Sequence, residues 1–161
     1  NVIPAYASLE YYFRAPTMAV AKAMSQRAVQ CAEGACQMAG TTLKTSMYEC
    51  PYEDNKINYT LCSLLEKQYA ELGLSEIQPV DEVPGGSSDI GAVSYRCPAL
   101  HGYIQICGCE VTGHSREMAA ATISPQGRAG LENGASALAM CAVELASDPQ
   151  LLQQVKEEFA R

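Results

Sequence analysis

Apolar residues recur at the three- and four-residue spacing of an amphipathic helix in several long stretches of the chain. This spacing predicts helices over 17–39, 57–72, 128–146 and from 149 towards the end of the chain. Gly40 and Gly73 follow the first two stretches as helix stop residues. Asp148 and Pro149 form an N-cap and first-turn pair for the last one. A short helix is also predicted after His114.

Three other segments have the composition or alternation of β-strands. Residues 5–14 are rich in aromatic side chains and end before Pro16, and residues 41–49 alternate polar and apolar positions. Residues 101–107 are predicted to form a buried strand. Because strands and helices then alternate along the chain, the sequence predicts an α/β or mixed α+β fold.

A polar segment divides the chain into two predicted domains. Residues 50–56 contain Pro51, Asp54 and Asn55, a composition typical of a domain crossing. We therefore predict one domain over 1–54 and another over 55–161.

The composition excludes some classes of function. The chain has 161 residues, 48% of them hydrophobic, and a formal net charge of −7. Its 11 Lys and Arg are scattered, whereas a nucleic-acid-binding protein carries a basic patch. No apolar run approaches the roughly 18 to 20 residues of a membrane helix, and no signal peptide is recognisable. We expect a cytoplasmic protein that binds neither nucleic acid nor membrane, and a chain that begins in mid-domain.

Eight cysteines invite a disulfide interpretation. The helical patterning and the missing secretion signal argue against such a framework. Several cysteines occupy apolar helix positions, where a thiol behaves as a small hydrophobic side chain. We therefore expect reduced cysteines, largely in the core.

Two turns carry candidate chemistry. The first, Pro84 to Asp89, has two glycines followed by two serines, which suits close approach to a carboxylate or phosphate, although it equally suits a tight turn. The second is Gly113-His114-Ser115. Its histidine could be a metal ligand, a general base or simply a residue near a helix cap.

Two further groups are weaker candidates. The cluster His101, Cys107, Cys109 and His114 has residue types that suit zinc, but the spacing matches no common zinc pattern. Arg14 could bind a carboxylate in bidentate fashion or could be a solvated residue at a strand end.

Several segments, in one order along the chain, resemble the aminoacylase-like zinc metallopeptidases and amidohydrolases, in particular the subgroup that includes p-aminobenzoyl-glutamate hydrolase. The matching segments are Asn1–Ala7, Tyr11–Thr17, Gly85–Gly91, Gly113–Glu117, Gly134–Met140 and Asp148–Phe159. The resemblance covers almost the whole chain. No single motif is decisive, but the ordered set is specific.

The resemblance implies a fold and an activity. Residues 1–54 would be the second half of a β-α-β-β-α-β lid domain, and 55–161 the C-terminal part of a zinc-peptidase α/β domain. Family members hydrolyse the amide of an N-acyl amino acid or dipeptide-like substrate. Two metal ions activate a water, a Glu serves as general base, and the lid holds the substrate carboxylate.

The same resemblance assigns roles to individual residues. His114 would ligate the metal, Gly85, Gly86 and Ser87 would line the substrate pocket, and Asn1 and Arg14 would reach the substrate carboxylate. The family's other ligands and catalytic Glu have no counterpart in the chain. We expect it to be inactive alone, with zinc or another divalent metal held by a larger parent enzyme, and to form a homo-oligomer. The alternatives are a non-enzymatic oligomerisation module and a small structural zinc protein.

Overall fold

A computed structural model describes residues 1–74, 86 and 88–161. The chain divides into two compact units, Asn1–Asp54 and Asn55–Arg161. The described residues form these helices in chain order: α1 Met18–Ala39, α2 Tyr59–Glu71, α3 Ile90–Ser94, α4 Arg116–Thr122, α5 Pro125–Ser147 and α6 Pro149–Phe159. No helix in this part of the chain is both long and apolar enough to cross a bilayer.

The strand predictions are wrong. Residues 5–14, 41–49 and 101–107 form no β-structure, and no strand occurs among the described residues. Composition and alternation identify residues that would fit a sheet, but a strand exists only through backbone hydrogen bonds to a neighbouring strand. The predicted α/β or mixed α+β fold is therefore corrected to an all-helical one, and neither a half-lid with strands nor a zinc-peptidase sheet is present in the described chain.

Helix α1 dominates the first unit and confirms the helix predicted over 17–39. The side-chain oxygen of Thr17 accepts from the backbone N–H of Val20. The Asp54 carboxylate accepts from Met18 N–H at 2.7 Å, which places a negative charge at the positive end of the helix dipole. Gly40, at φ 64°, ends the helix in a left-handed conformation that glycine adopts without strain.

The first unit has no buried core. None of the residues 1–54 is buried, and on α1 Val20 and Met24 remain 48% and 44% exposed. A helix in a globular domain normally gains most of its stability by burying an apolar face. The apolar surface of this unit is therefore available to other polypeptide.

The second unit packs α2, α5 and α6 around one small core. Leu64 and Leu65 of α2 meet Ala137 and Cys141 of α5. Partly buried apolar side chains surround this cluster: Tyr69, Leu72, Leu100, Leu145 and Leu151. The 3.6-residue periodicity predicted these helices because it reflects the faces that pack together.

Residues 101–107 lie against this helical layer without pairing to a strand. A β-carbon added to Gly102 would lie 2.5 Å from Cδ2 of Leu65, and one added to Gly130 of α5 would lie 2.6 Å from Cγ2 of Ile106. Both distances are too short for real atoms. The two glycines therefore allow the segment to approach α2 and α5 closely.

Side-chain caps fix where the helices of the second unit begin. Asn58, Ser115, Ser124 and Asp148 each accept a backbone N–H from the first turn of α2, α4, α5 and α6, respectively. Each backbone N–H group of a first turn that gains a partner in this way contributes about 1 kcal/mol to stability. The helices predicted at these places are confirmed, with α5 beginning at Pro125 rather than 128.

A carboxylate from α6 adds a second cap to α2. The Glu158 oxygens accept from the N–H groups of Tyr59 at 2.8 Å and Thr60 at 2.9 Å. Partial burial opposes the charged form of Glu158, but the hydrogen bonds from Thr60 and Tyr59 outweigh it, and the pKa of this carboxyl is lowered. The C-terminal helix is thereby tied to the start of α2.

The Glu158 cap predicts a pH-dependent contribution to stability. A carboxyl whose pKa is lowered by folding stabilises the protein fully above its unfolded pKa of about 4.3 and loses that effect as pH falls through the folded value. We expect the wild type to exceed Glu158→Gln in urea midpoint at pH 7 and to lose most of this advantage at pH 3. An advantage that does not change between these pH values would contradict the prediction.

All eight cysteines are free, as expected. Only Cys141 is buried, and burial raises the pKa of its thiol, with a smaller contribution from Glu144. Cys31, Cys50, Cys97 and Cys109 are exposed. The expectation that the cysteines lie largely in the core is therefore wrong: Cys31 lies on an exposed position of α1, and Cys50, Cys97 and Cys109 lie outside the helices.

Candidate functional site

The turn that carries His114 is held in place from both sides. It directly precedes α4, whose N-cap is Ser115. The Ser115 hydroxyl accepts from Met118 N–H at 3.0 Å and donates to the carbonyl of Thr112 at 2.7 Å. One hydroxyl thus ties the chain before His114 to the first turn of the helix that follows it.

His114 adopts an uncommon backbone conformation. Its φ is 57°, and it is the one non-glycine residue with a positive φ in the described part of the chain. This left-handed conformation costs an ordinary L-residue about 1–2 kcal/mol, although histidine tolerates it better than most. Its side chain is exposed. The turn therefore presents an imidazole to solvent from a constrained backbone position.

The described residues do not by themselves form a metal site. Nowhere in 1–74, 86 and 88–161 do three or more His, Cys, Asp or Glu side chains gather closely enough to hold an ion. Catalytic zinc needs about three protein ligands. His114 could be one ligand of such a site, but the described chain does not supply the others.

The residues of the weaker zinc cluster have other neighbours. The His101 ring stacks on that of Tyr103, with centroids 4.8 Å apart. The Gln105 amide donates to the carbonyl of Cys107 at 2.9 Å and lies 3.9 Å from the sulfur of Cys109. Among the described residues the side chains of this cluster belong to no group of three or more that could hold a metal ion.

The glycine-rich loop lies partly outside the described residues. Gly85 and Ser87 are not among them, so their assignment to a substrate pocket stays a prediction. Gly86 is exposed, and a β-carbon added there would meet nothing within 4 Å. Further on, Ser88 accepts from the N–H of Ile90 at 3.3 Å, at the start of α3. The backbone at Gly86 is accordingly open to close approach by a ligand.

Arg14 lies beside an aromatic pair in the first unit. Its guanidinium carbon is 5.5 Å from the ring centroid of Tyr12, and Tyr12 meets Tyr48 edge-on at 5.7 Å. Hydrogen bonds with Tyr48 and then Glu49 raise the pKa of the Tyr12 hydroxyl. Asn1 is exposed at the start of the same unit. The predicted contacts of Asn1 and Arg14 with a substrate carboxylate stay predictions.

Sequence reasoning did not single out Tyr12, Tyr48 or Glu49. Tyr12 lies in the aromatic-rich segment 5–14, and Tyr48 and Glu49 lie at the end of segment 41–49; we interpreted both segments as strands. The pairing joins side chains 36 positions apart. Sequence spacing alone gives no indication of such a contact.

Two curated proteins are similar to nearly the whole chain. The chain is 34% identical to the mouse (Mus musculus) protein named Xaa-Arg dipeptidase and 30% identical to its human (Homo sapiens) namesake, over 161 residues in each case. These matches include 99% of this chain but only 37% of the length of each relative. No protein-family model matches the chain.

Proposed function

We propose that this chain is a part of a dipeptidase-like hydrolase that cleaves an amide bond in a dipeptide or N-acyl amino acid. The observation that supports the proposal most strongly is the 34% identity to a protein named Xaa-Arg dipeptidase across 99% of the chain. The resemblance of motifs in the same sequence to aminoacylase-like amidohydrolases points to the same chemistry.

Within this proposal, the chain contributes selected groups to a larger site. His114 is the metal ligand, and its constrained, exposed position before α4 suits a residue that must meet an ion held by other groups. Gly85, Gly86 and Ser87 line the substrate pocket, while Asn1 and Arg14 engage the substrate carboxylate. Zinc or another divalent metal, held in the complete enzyme, supplies Lewis-acid chemistry when bound.

The chain alone is proposed to be inactive. Its described residues provide no group of three metal ligands, and the relatives are much longer than the matched part. We therefore assign no catalytic step to the isolated chain. The remaining elements of the proposal, a cytoplasmic location and a homo-oligomer, rest on composition and on the family resemblance.

A chimera tests the proposal. The 161 residues replace the matched stretch of mouse Xaa-Arg dipeptidase, and hydrolysis of dipeptides with a C-terminal Arg is measured with divalent metal present. We expect the chimera to hydrolyse them and the isolated chain not to do so. His114→Ala in the chimera should reduce kcat/KM by at least about a hundredfold, because the loss of a residue that merely hydrogen-bonds to a metal ligand already costs about 10–100-fold.

A second variant distinguishes the loss of the imidazole from the effect of the backbone conformation. His114→Gly relieves the left-handed conformation and should be about 1 kcal/mol more stable than His114→Ala. Both variants lack the ligand, so both should be equally inactive and should bind less metal by elemental analysis. Activity in either variant close to that of the unsubstituted chimera would refute the role of His114, and hydrolysis by the isolated chain would refute its dependence on further residues.

A further inference from the structure

One side of α5 carries an exposed row of apolar side chains. Leu131, Ala135, Leu138 and Ala142 follow each other at intervals of four, three and four residues, so they share one helix face. We call these four residues the outer stripe. All four are exposed, Leu131 and Leu138 by 72% and 56%. The core of the second unit uses other α5 residues, including Ala137 and Cys141.

The outer stripe contains no polar side chain, although α5 has them close by. Glu132 and Ser136 are exposed and flank the stripe along the helix, on a side of α5 that also carries the exposed Val143. A single exposed leucine is ordinary on a protein surface. A continuous apolar row at heptad-like spacing is instead typical of a helix face that packs against other polypeptide.

The size of the relatives indicates what covers this face. The chain corresponds to 37% of each Xaa-Arg dipeptidase, so more than half of each relative has no counterpart in it. Within the second unit, the packed helices leave the stripe exposed.

We propose that the outer stripe is the surface on which this chain docks the remaining polypeptide of a dipeptidase-like hydrolase. The partner surface is apolar and uncharged where it meets Leu131 and Leu138. The small side chain of Ala135 leaves space between the two leucines, and that of Ala142 leaves space beyond Leu138, and larger apolar side chains of the partner fit into these spaces. The proposal rests on the relationship used for the proposed function but requires no catalytic activity.

The test compares one substitution in two contexts. Leu138→Glu is introduced into the isolated chain and into the mouse chimera, and thermal unfolding of each is followed by circular dichroism. In the isolated chain the change lies on the surface and should leave Tm nearly unchanged. In the chimera it buries a charge, and Tm should fall by about 5 °C or more.

Ser136→Glu is the matched control, because it places the same charge outside the stripe, one helical turn after the exposed Glu132, and should be tolerated in both contexts. If the Leu138→Glu chimera does not fold, Leu138→Ala replaces it and should still lower Tm in the chimera alone. Equal effects of Leu138→Glu and Ser136→Glu in the chimera would overturn the proposal. A chimera that does not fold even without substitutions would overturn it too.

Sedimentation of the isolated chain measures its oligomeric state and so tests whether a second copy of the chain occupies the stripe. A dimer that Leu138→Glu dissociates and Ser136→Glu preserves would assign the stripe to a second copy of the chain and overturn the proposal. A stable chimera that shows the context-dependent loss but hydrolyses no dipeptide would retain the docking surface and reject the proposed function, so the two failures are distinguishable.

Discussion

Replacing Ala137 by Asp is expected to destabilise the second unit by on the order of 3–5 kcal/mol. The Ala137 side chain is fully enclosed, with 0% of its surface exposed, and it packs with Leu64, Leu65 and Cys141. A carboxylate at this position would be buried without a cation, and the larger side chain would also overpack the contact between α2 and α5. Because small domains are stable by only about 5–15 kcal/mol, the variant should be largely unfolded at moderate urea.

Ala139→Asp provides the control for this prediction. Residue 139 lies on the same helix but is exposed, so both variants carry the same loss of helix propensity, about 0.6 kcal/mol or less. Urea denaturation followed by far-ultraviolet circular dichroism should place the midpoint of Ala137→Asp far below that of Ala139→Asp. Equal midpoints would mean that Ala137 does not lie in the core between α2 and α5.

The helices were predictable because their information is local. Periodicity located α1, α2, α5 and α6, Gly40 marked the end of α1, and Asp148 marked the start of α6. The earlier start of α5 also has a local signal, since Ser124 caps it and Pro125 occupies its first turn. Helix α3 was missed because it has five residues and no side-chain cap.

The strand predictions were wrong because strand formation depends on residues that are distant in sequence. Residues 101–107 have the apolar content of a buried strand, and Ile104 and Ile106 are indeed half-buried. Their burial comes from close packing beside Gly130 of α5, not from a ladder. The sequence pattern of a segment indicates that one of its faces is buried. It does not indicate whether a strand or a helix packs on that face, because that element is distant in sequence.

The candidate site likewise has features that the local sequence predicted and features that it did not. The turn before α4 was identifiable from Gly113-His114-Ser115, because a serine after a turn is a common N-cap. The positive φ of His114 was not, since most residues in such turns avoid it. The contact of Tyr12 with Tyr48 depends on tertiary packing that no local motif encodes, whereas Arg14 reaches the Tyr12 ring from only two residues away.

The second large effect is expected at Asn58, a polar residue that joins α2 to α6. Its side chain is only 3% exposed. The amide oxygen accepts from Leu61 N–H at 3.0 Å and the amide nitrogen donates to the carbonyl of Val155 at 3.0 Å. One amide therefore caps α2 and binds it to α6 across 97 positions of sequence.

Asn58→Ala should lower the free energy of unfolding by about 2 kcal/mol, because the cap and the buried hydrogen bond each contribute about 1 kcal/mol. Asn58→Ser keeps a capping oxygen but loses the amide donor, so it should cost about half as much in urea denaturation. Combined with Glu158→Gln, Asn58→Ala should be non-additive by at least about 0.5 kcal/mol, since both side chains serve the same helix start. Strictly additive losses would mean that the two caps act independently, and an Asn58→Ser variant as unstable as Asn58→Ala would mean that the bond to Val155, and not the cap, holds the start of α2 in place.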